Sequence, residues 1–309
     1  MILCLGTTPA VQRVMRFRKL TLDAVNRAVQ TLDGAAGKSI NVAKVLHALG
    51  EHPVAAGFLG GDRGAYLRAL LETRGIESDF VQVATPTRQC VTLLDESTGT
   101  VTELVEESGP VVPDDFEKLM AIVCRRVPQC QAMVMSGTIA AGGQVDLYLQ
   151  CTRLANEARA LSVVDAQGAP LLEALKARPG VVKPNRAELA ATVGRDLENE
   201  ASVIQAMQTL AKRGAQRVIV TAGKEPVLAF DGRAVWRIVA ARIKPVNPIG
   251  SGDAFTAGLV WRLLRGDDLG EACRWASAAG AANALTLLAG EVNGQDVERL
   301  VREVIVEPV

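Results

Sequence analysis

Six short apolar runs recur along this chain: ILCLG (2–6), VAAGFLG (54–60), AMVMSG (132–137), LSVVDA (161–166), GVVKPN (180–185) and RVIVTAG (217–223). They are apolar on both faces, as parallel strands buried between two layers are. Helical patterns lie among them, at 40–49, 64–74, 114–127, 144–159 and 202–214. Strand and helix in alternation predict an α/β fold, a mainly parallel central sheet flanked by helices. The last third turns helical, over 253–265, 270–288 and 294–304. A chain of 309 residues suits one large domain or two smaller ones, and with no linker or internal repeat in it, residues 1–309 read as a single domain. Two early segments break the alternation. Residues 10–33 and 85–112 alternate apolar and polar positions and are rich in Thr and Val. They read as exposed antiparallel strands, with 90–95 and 100–105 joined into a hairpin by DESTG. Together they would make a small β lid beside the main domain, and its exposed edges offer a route to a homodimer.

Several function classes drop out early. Basic and acidic residues balance at 34 each, whereas a nucleic-acid binder usually carries basic excess. No run is long enough for a transmembrane helix, and MILCLGTTPA lacks the basic start of a signal peptide. Six scattered Cys with no C-x-x-C pair read as reduced thiols of a cytoplasmic protein. Two His, at 47 and 52, leave little for a zinc site or a His-dependent triad. A dinucleotide-binding oxidoreductase needs G-x-G-x-x-G after its first strand, and here that place reads Gly6-Thr7-Thr8-Pro9-Ala10.

Three motifs remain. GAAGKSINVAKVL (34–46) has the Gly-Lys-Ser of a P-loop, but the required first glycine falls on Leu32, so the backbone cannot wrap a phosphate in that way. Asn41 lies early on the following helix, where it can reach a polar ligand or simply cap locally. KPNRAEL (183–189) follows an apolar strand and opens a helix, the place where α/β sheets bind ligands. Lys183 suits a phosphate there, and Asn185 and Glu188 offer oxygens to Mg²⁺; an ordinary helix entry has the same residue types. NPIGSGDAFTAGL (247–259) is the strongest signal. Gly250, Ser251 and Gly252 expose N–H groups at a helix start, which favours an anion. Asp253 beside them can take the proton of a hydroxyl that attacks that anion, the pairing phosphoryl transfer needs. An Asp near a helix N-cap after a glycine turn is also common in structural roles.

Taken in order, these motifs resemble those of the PfkB/ribokinase superfamily of carbohydrate kinases, nearest to its 1-phosphofructokinase and tagatose-6-phosphate kinase branch. The resemblance spans nearly the whole chain, including the VVDAQG segment around Asp165. It implies a cytoplasmic, Mg²⁺-dependent kinase that moves the ATP γ-phosphate to a hydroxyl of a phosphorylated ketohexose, with no nucleic-acid or membrane partner. A kinase for an unphosphorylated sugar or nucleoside, or a catalytically silent sugar-phosphate binder, are the alternatives. Asp253 matches the family's catalytic base and Gly250, Ser251 and Gly252 its anion hole. Asn185 and Glu188 match the residues that organise Mg²⁺ and the ATP phosphates, with Lys183 nearby. Thr221 and Gly223 match nucleotide contacts, and Ala279 and Asn283 should border the adenine. Gly37 and Asn41 match sugar contacts, while Arg27, Lys38, Arg88 and Ser136 match the pocket for the substrate's own phosphate. Three places depart from the pattern. Gln12 stands where the branch has an Asp on the sugar, Ser39 replaces a glycine, and the nucleotide turn reads Gly223-Lys224-Glu225-Pro226.

Overall fold

The computed structural model describes residues 1–309. In chain order its strands are β1 (Ile2–Gly6), β2 (Ala10–Phe17), β3 (Gln30–Ala36), β4 (Pro53–Leu59), β5 (Glu77–Gln82), β6 (Arg88–Asp95), β7 (Thr100–Val105), β8 (Ala132–Ser136), β9 (Leu161–Asp165), β10 (Val181–Val182), β11 (Val218–Ala222), β12 (Glu225–Phe230), β13 (Val235–Val239) and β14 (Ile305–Pro308). Ten of them form one sheet, ordered β14-β13-β12-β11-β10-β9-β8-β1-β4-β5. From β5 across to β11 neighbours run parallel, so all six apolar runs lie in the parallel part. The antiparallel extension β12-β13-β14 has no counterpart in the sequence reading. Strands β13 and β14 are mostly half-exposed or exposed, and β12 starts on Glu225 and Pro226 before its buried residues 227–230, so the extension lacks the continuous apolar signature of the central strands.

Both faces of the sheet are covered, as near-continuously apolar strands require. One face packs on helices Lys38–Ala48, Ser251–Leu263 and Leu269–Ala284, and the other on Pro113–Arg126 and Leu147–Glu157. The two-residue alternation of a strand decides which side chains reach which face. Val134, Val163 and Val181 face the first group of helices. Ser136, Asp165 and Lys183, each two residues on, therefore emerge on that side at the carboxyl ends of β8, β9 and β10. Those are the residues that meet the starts of helices Lys38–Ala48 and Ser251–Leu263.

Strands β3-β2-β6-β7 form a separate four-stranded sheet. Pairs β2-β3 and β6-β7 are antiparallel, but β2 and β6 run parallel. This corrects the all-antiparallel expectation, and the cause is topological. Strand β2 leaves the carboxyl end of β1 and β6 follows that of β5, so both depart the main sheet in the same direction. Nor is the whole sheet exposed: Ala10, Val11, Gln12, Val14 and Phe17 of β2 are buried, and only β7 lies largely open. No helix is long and apolar enough to cross a membrane. All six cysteines are free, and five of them are buried.

Candidate active site

A cleft opens between the carboxyl ends of the parallel strands and the inner face of the small sheet. Its floor is a cluster of buried charges centred on Asp165. One Asp165 oxygen receives Lys38 Nζ at 3.1 Å. The other receives Lys183 Nζ at 3.0 Å and the Thr256 hydroxyl at 3.2 Å. Burial alone would raise the Asp165 carboxyl, but Lys183 and Lys38 outweigh it and hold it below the usual carboxylate range. Partial burial of Lys38, whose side chain is 35% exposed, would lower its pKa, yet Asp165, Glu188 and Asp253 together raise it above the ordinary lysine value. Its Nζ lies 2.9 Å from Glu188 Oε1.

Asp253 sits in the same floor, 7% exposed, in the first turn of helix Ser251–Leu263. Burial, and then the Asp165 charge, push its carboxyl up to about 7, against the pull of Lys38, Asn41 and Lys183. Asn41 Nδ2 donates to Asp253 Oδ2 at 2.7 Å. The Asn41 carbonyl oxygen is buried and has no partner, so it is an acceptor left for a ligand at the cleft. Gly250 caps the helix at φ 84°, and a Cβ there would stand 2.8 Å from the Ala289 Cβ, so only glycine fits. Ser251 N–H is used within the turn, donating to the Pro248 carbonyl. The N–H groups of Gly250 and Gly252 find no acceptor in the protein, and both residues line the cleft. The turn thus presents two free donors at the positive end of a helix, beside a carboxyl poised to exchange a proton near neutrality.

The loop behind Gly250 is held from three sides. Asn283 donates to the Ile249 carbonyl and accepts from Gly290 N–H. Lys44, 3% exposed, donates to the carbonyls of Ala35 and Ala289 at 3.0 and 2.6 Å. Burial lowers the Lys44 ammonium to about 8, with Glu291 opposing. Gln12 Oε1 accepts from Ala289 N–H at 3.2 Å.

Asn185 and Glu188 both line the cleft, and they also build the start of helix Arg186–Val193. Each side chain accepts from the other's backbone N–H at 2.8 Å, a reciprocal capping box. Thr221 completes this end of the cleft. No group of three or more His, Cys, Asp or Glu is arranged to hold a metal by itself. That donor set suits Mg²⁺, which is usually held by one or two protein oxygens together with water and substrate phosphates.

The opposite wall is the small sheet, with Gln12, Arg88, Cys90 and Glu103 facing in. Gln12 is held at both ends: besides accepting from Ala289, its Nε2 donates to Thr92 Oγ1 at 3.0 Å. The Arg88 guanidinium bonds only carbonyls, those of Thr8 and Glu106, and has no carboxylate partner.

Gly37, Lys38, Asn41, Lys183, Gly252 and Asp253 thus converge from segments far apart in sequence. Others do not reach the cleft. Arg27 is exposed on the loop between β2 and β3 and does not line the cleft. Ser136 is buried with an unpartnered hydroxyl beneath the surface. Gly223 turns the β11–β12 hairpin at φ 63° without lining the cleft. Asn283 and Ala279 are fully buried, and Asn283 anchors the loop. Lys38 and Arg88 both line the cleft, Lys38 paired with Asp165 and Glu188 and Arg88 without a carboxylate partner. Sequence reading missed Glu103, the anchoring role of Lys44 and the central place of Asp165. The hairpin register held the signal for Glu103: it pairs with Thr92, which places it on the Gln12 face.

Comparison with known proteins agrees with this geometry. The family model described as pfkB family carbohydrate kinase matches residues 1–293. A tagatose-6-phosphate kinase from Staphylococcus epidermidis is 31% identical over 307 residues, 98% of each chain. Phosphofructokinase-2 from Escherichia coli, solved with substrates and products, superposes with a TM-score of 0.87 at 25% identity over 97% of each chain. A Thermotoga maritima protein described as a possible 1-phosphofructokinase shares the fold, with a TM-score of 0.92 at 24% identity, covering 100% of this chain and 99% of its own. The chain belongs to the pfkB family of carbohydrate kinases.

Proposed function

We propose that this pfkB-family kinase transfers the γ-phosphate of ATP to a hydroxyl of a phosphorylated ketohexose, as its tagatose-6-phosphate kinase relative's name describes for that protein. The observation that carries the reading is Asp253, a buried carboxyl pushed up to about 7 beside the free N–H groups of Gly250 and Gly252. Asp253 takes the proton from the attacking hydroxyl, which Asn41 helps to place. The Gly250 and Gly252 donors stabilise the charge that develops on the transferring group. Lys38 and Lys183, pinned by Asp165, offset the remaining negative charge. Asn185 and Glu188, whose oxygens also serve the helix cap, would orient the ATP phosphates and hold Mg²⁺. Bound there, Mg²⁺ would neutralise phosphate charge. Arg88 takes the phosphate already on the sugar, because its guanidinium has no carboxylate to satisfy.

Two copies of the chain pairing through the small sheet fit the same reading, since Leu22 and Val25 on its β2–β3 loop are 89% and 83% exposed. Sedimentation equilibrium tests that pairing: a single monomeric species at all concentrations rejects it. The substrate is tested by ADP release from Mg·ATP with fructose 1-phosphate, fructose 6-phosphate, tagatose 6-phosphate, the matching free sugars, ribose and adenosine. Turnover confined to phosphorylated ketohexoses supports the reading. Turnover confined to free sugars or nucleosides keeps the kinase and rejects the phosphate role of Arg88.

A further inference from the structure

Four carboxylates line the cleft, and three are already engaged. Asp165 meets Lys38 and Lys183, Glu188 meets Lys38 and the Asn185 N–H, and Asp253 accepts from Asn41. The fourth, Glu103 on β7, has no hydrogen bond or ion pair. None of its neighbours on the small-sheet wall offers a carboxylate. Gln12 is 2% exposed and tied through its amide to Thr92 and Ala289. Cys90 is a weak acceptor, and Arg88 only donates.

Position gives Glu103 a direction. It pairs with Thr92, four residues along β6 from Arg88. At about 3.3 Å per residue, the two backbone positions stand roughly 13 Å apart along the strand. The wall therefore has a cationic end at Arg88 and an anionic end at Glu103. A ketohexose phosphate is polar in the same sense, with a dianion at one end and hydroxyl donors at the other. We infer that Glu103 is a specificity-determining residue of the acceptor site, taking hydrogen bonds from sugar hydroxyls remote from the phosphate and repelling a phosphate placed there. That selection fixes which end of the sugar faces Asp253. It rests on the sugar-phosphate reading above. Glu103 is exposed on β7, so water satisfies its carboxylate until hydroxyl donors take that place.

The test is Glu103→Gln, which keeps size and one acceptor oxygen but removes the charge, with Glu103→Ala beside it. Thr102→Gln, on the opposite face of the same strand, is the control. Steady-state kinetics are measured with the preferred ketohexose phosphate, its deoxy analogues and its positional isomer with the phosphate at the other end. A hydrogen bond to a charged group sets the scale: KM rises about tenfold or more in Glu103→Gln while kcat moves little. Discrimination against one deoxy analogue and against the positional isomer shrinks by a similar factor. Thr102→Gln changes none of these. If wild type turns over a sugar phosphate but Glu103→Gln matches it in KM and in both discriminations, the role of Glu103 is overturned and the substrate reading stands. If wild type ignores every sugar phosphate, the substrate reading falls and this inference with it. A kcat loss without any change in discrimination also overturns it, because a merely structural residue would behave so.

Discussion

The floor and the wall of the cleft are built on opposite plans. On the floor, Asp165, Lys183 and Asp253 are 1%, 3% and 7% exposed, and each is tied to a charged or polar partner. On the wall, Arg88 and Glu103 stand on a thin sheet whose outer strand is open to solvent, and neither has an ion-pair partner. Buried charges are costly unless compensated, so the floor is locked by its own network before any ligand arrives. Exposed and half-exposed charges such as Glu103 and Arg88 remain hydrated and free to be claimed by a substrate. Reaction chemistry therefore belongs to the floor and recognition to the wall, and substitutions in the two should fail in different ways.

The sharpest break is Asp253→Asn. Loss of a general base lowers kcat by about 10²–10⁴, with KM for the sugar nearly unchanged; near-normal turnover would dissolve the distinction. Gly250→Ala comes next. It forces a Cβ to within 2.8 Å of the Ala289 Cβ at a left-handed backbone position and displaces a donor whose kind is worth about 10²–10³ in rate. Again kcat, not sugar KM, should fall in steady-state assays. Arg88→Gln should show the reverse pattern. KM for the phosphorylated sugar rises about tenfold with kcat largely kept, as for a bidentate phosphate contact, and KM for the matching free sugar does not move.

The pH profile sharpens the contrast. With Asp253 at about 7, kcat should drop about tenfold per unit below that pH, since only the ionised form accepts a proton. Stability has the opposite sign. A carboxyl whose folded pKa is raised from 3.8 to about 7 weakens the fold progressively as pH rises from 4 to 7, and fully above 7. Asp253→Asn should therefore be more stable than wild type at pH 8, by on the order of 2–4 kcal/mol. That advantage should vanish near pH 4, as denaturant midpoints across pH would reveal.

Legibility followed the same division. The parallel strands were readable because residues such as Val134 and Val163 sit in runs apolar on both faces. The turn from Gly250 to Asp253 was readable because its chemistry is local: glycine, N–H donors and carboxylate lie within four residues. The wall was not readable in that way. Arg27 and Arg88 look alike in sequence, and only the path of the β2–β3 loop separates the exposed residue from the cleft residue. Glu103 depended on a register set by pairing between β6 and β7, and Gln12 on a bond to Ala289, 277 positions away. The parallel pairing of β2 with β6 followed from their exits from the main sheet, which alternation within each strand does not encode.

The bond from Asn41 to Asp253 spans 212 positions and that from Lys44 to Ala289 spans 245. During synthesis the first third of the chain must therefore wait for the last. Strands β1, β4 and β8 can pair early, but the helix that holds Asp253 packs on Lys38–Ala48 only once some 260 residues have emerged. A nascent chain fragment can thus gather much of its sheet while remaining unable to spend ATP. Such long-range closure is slow compared with local folding, and here it makes catalytic competence a late acquisition of the polypeptide.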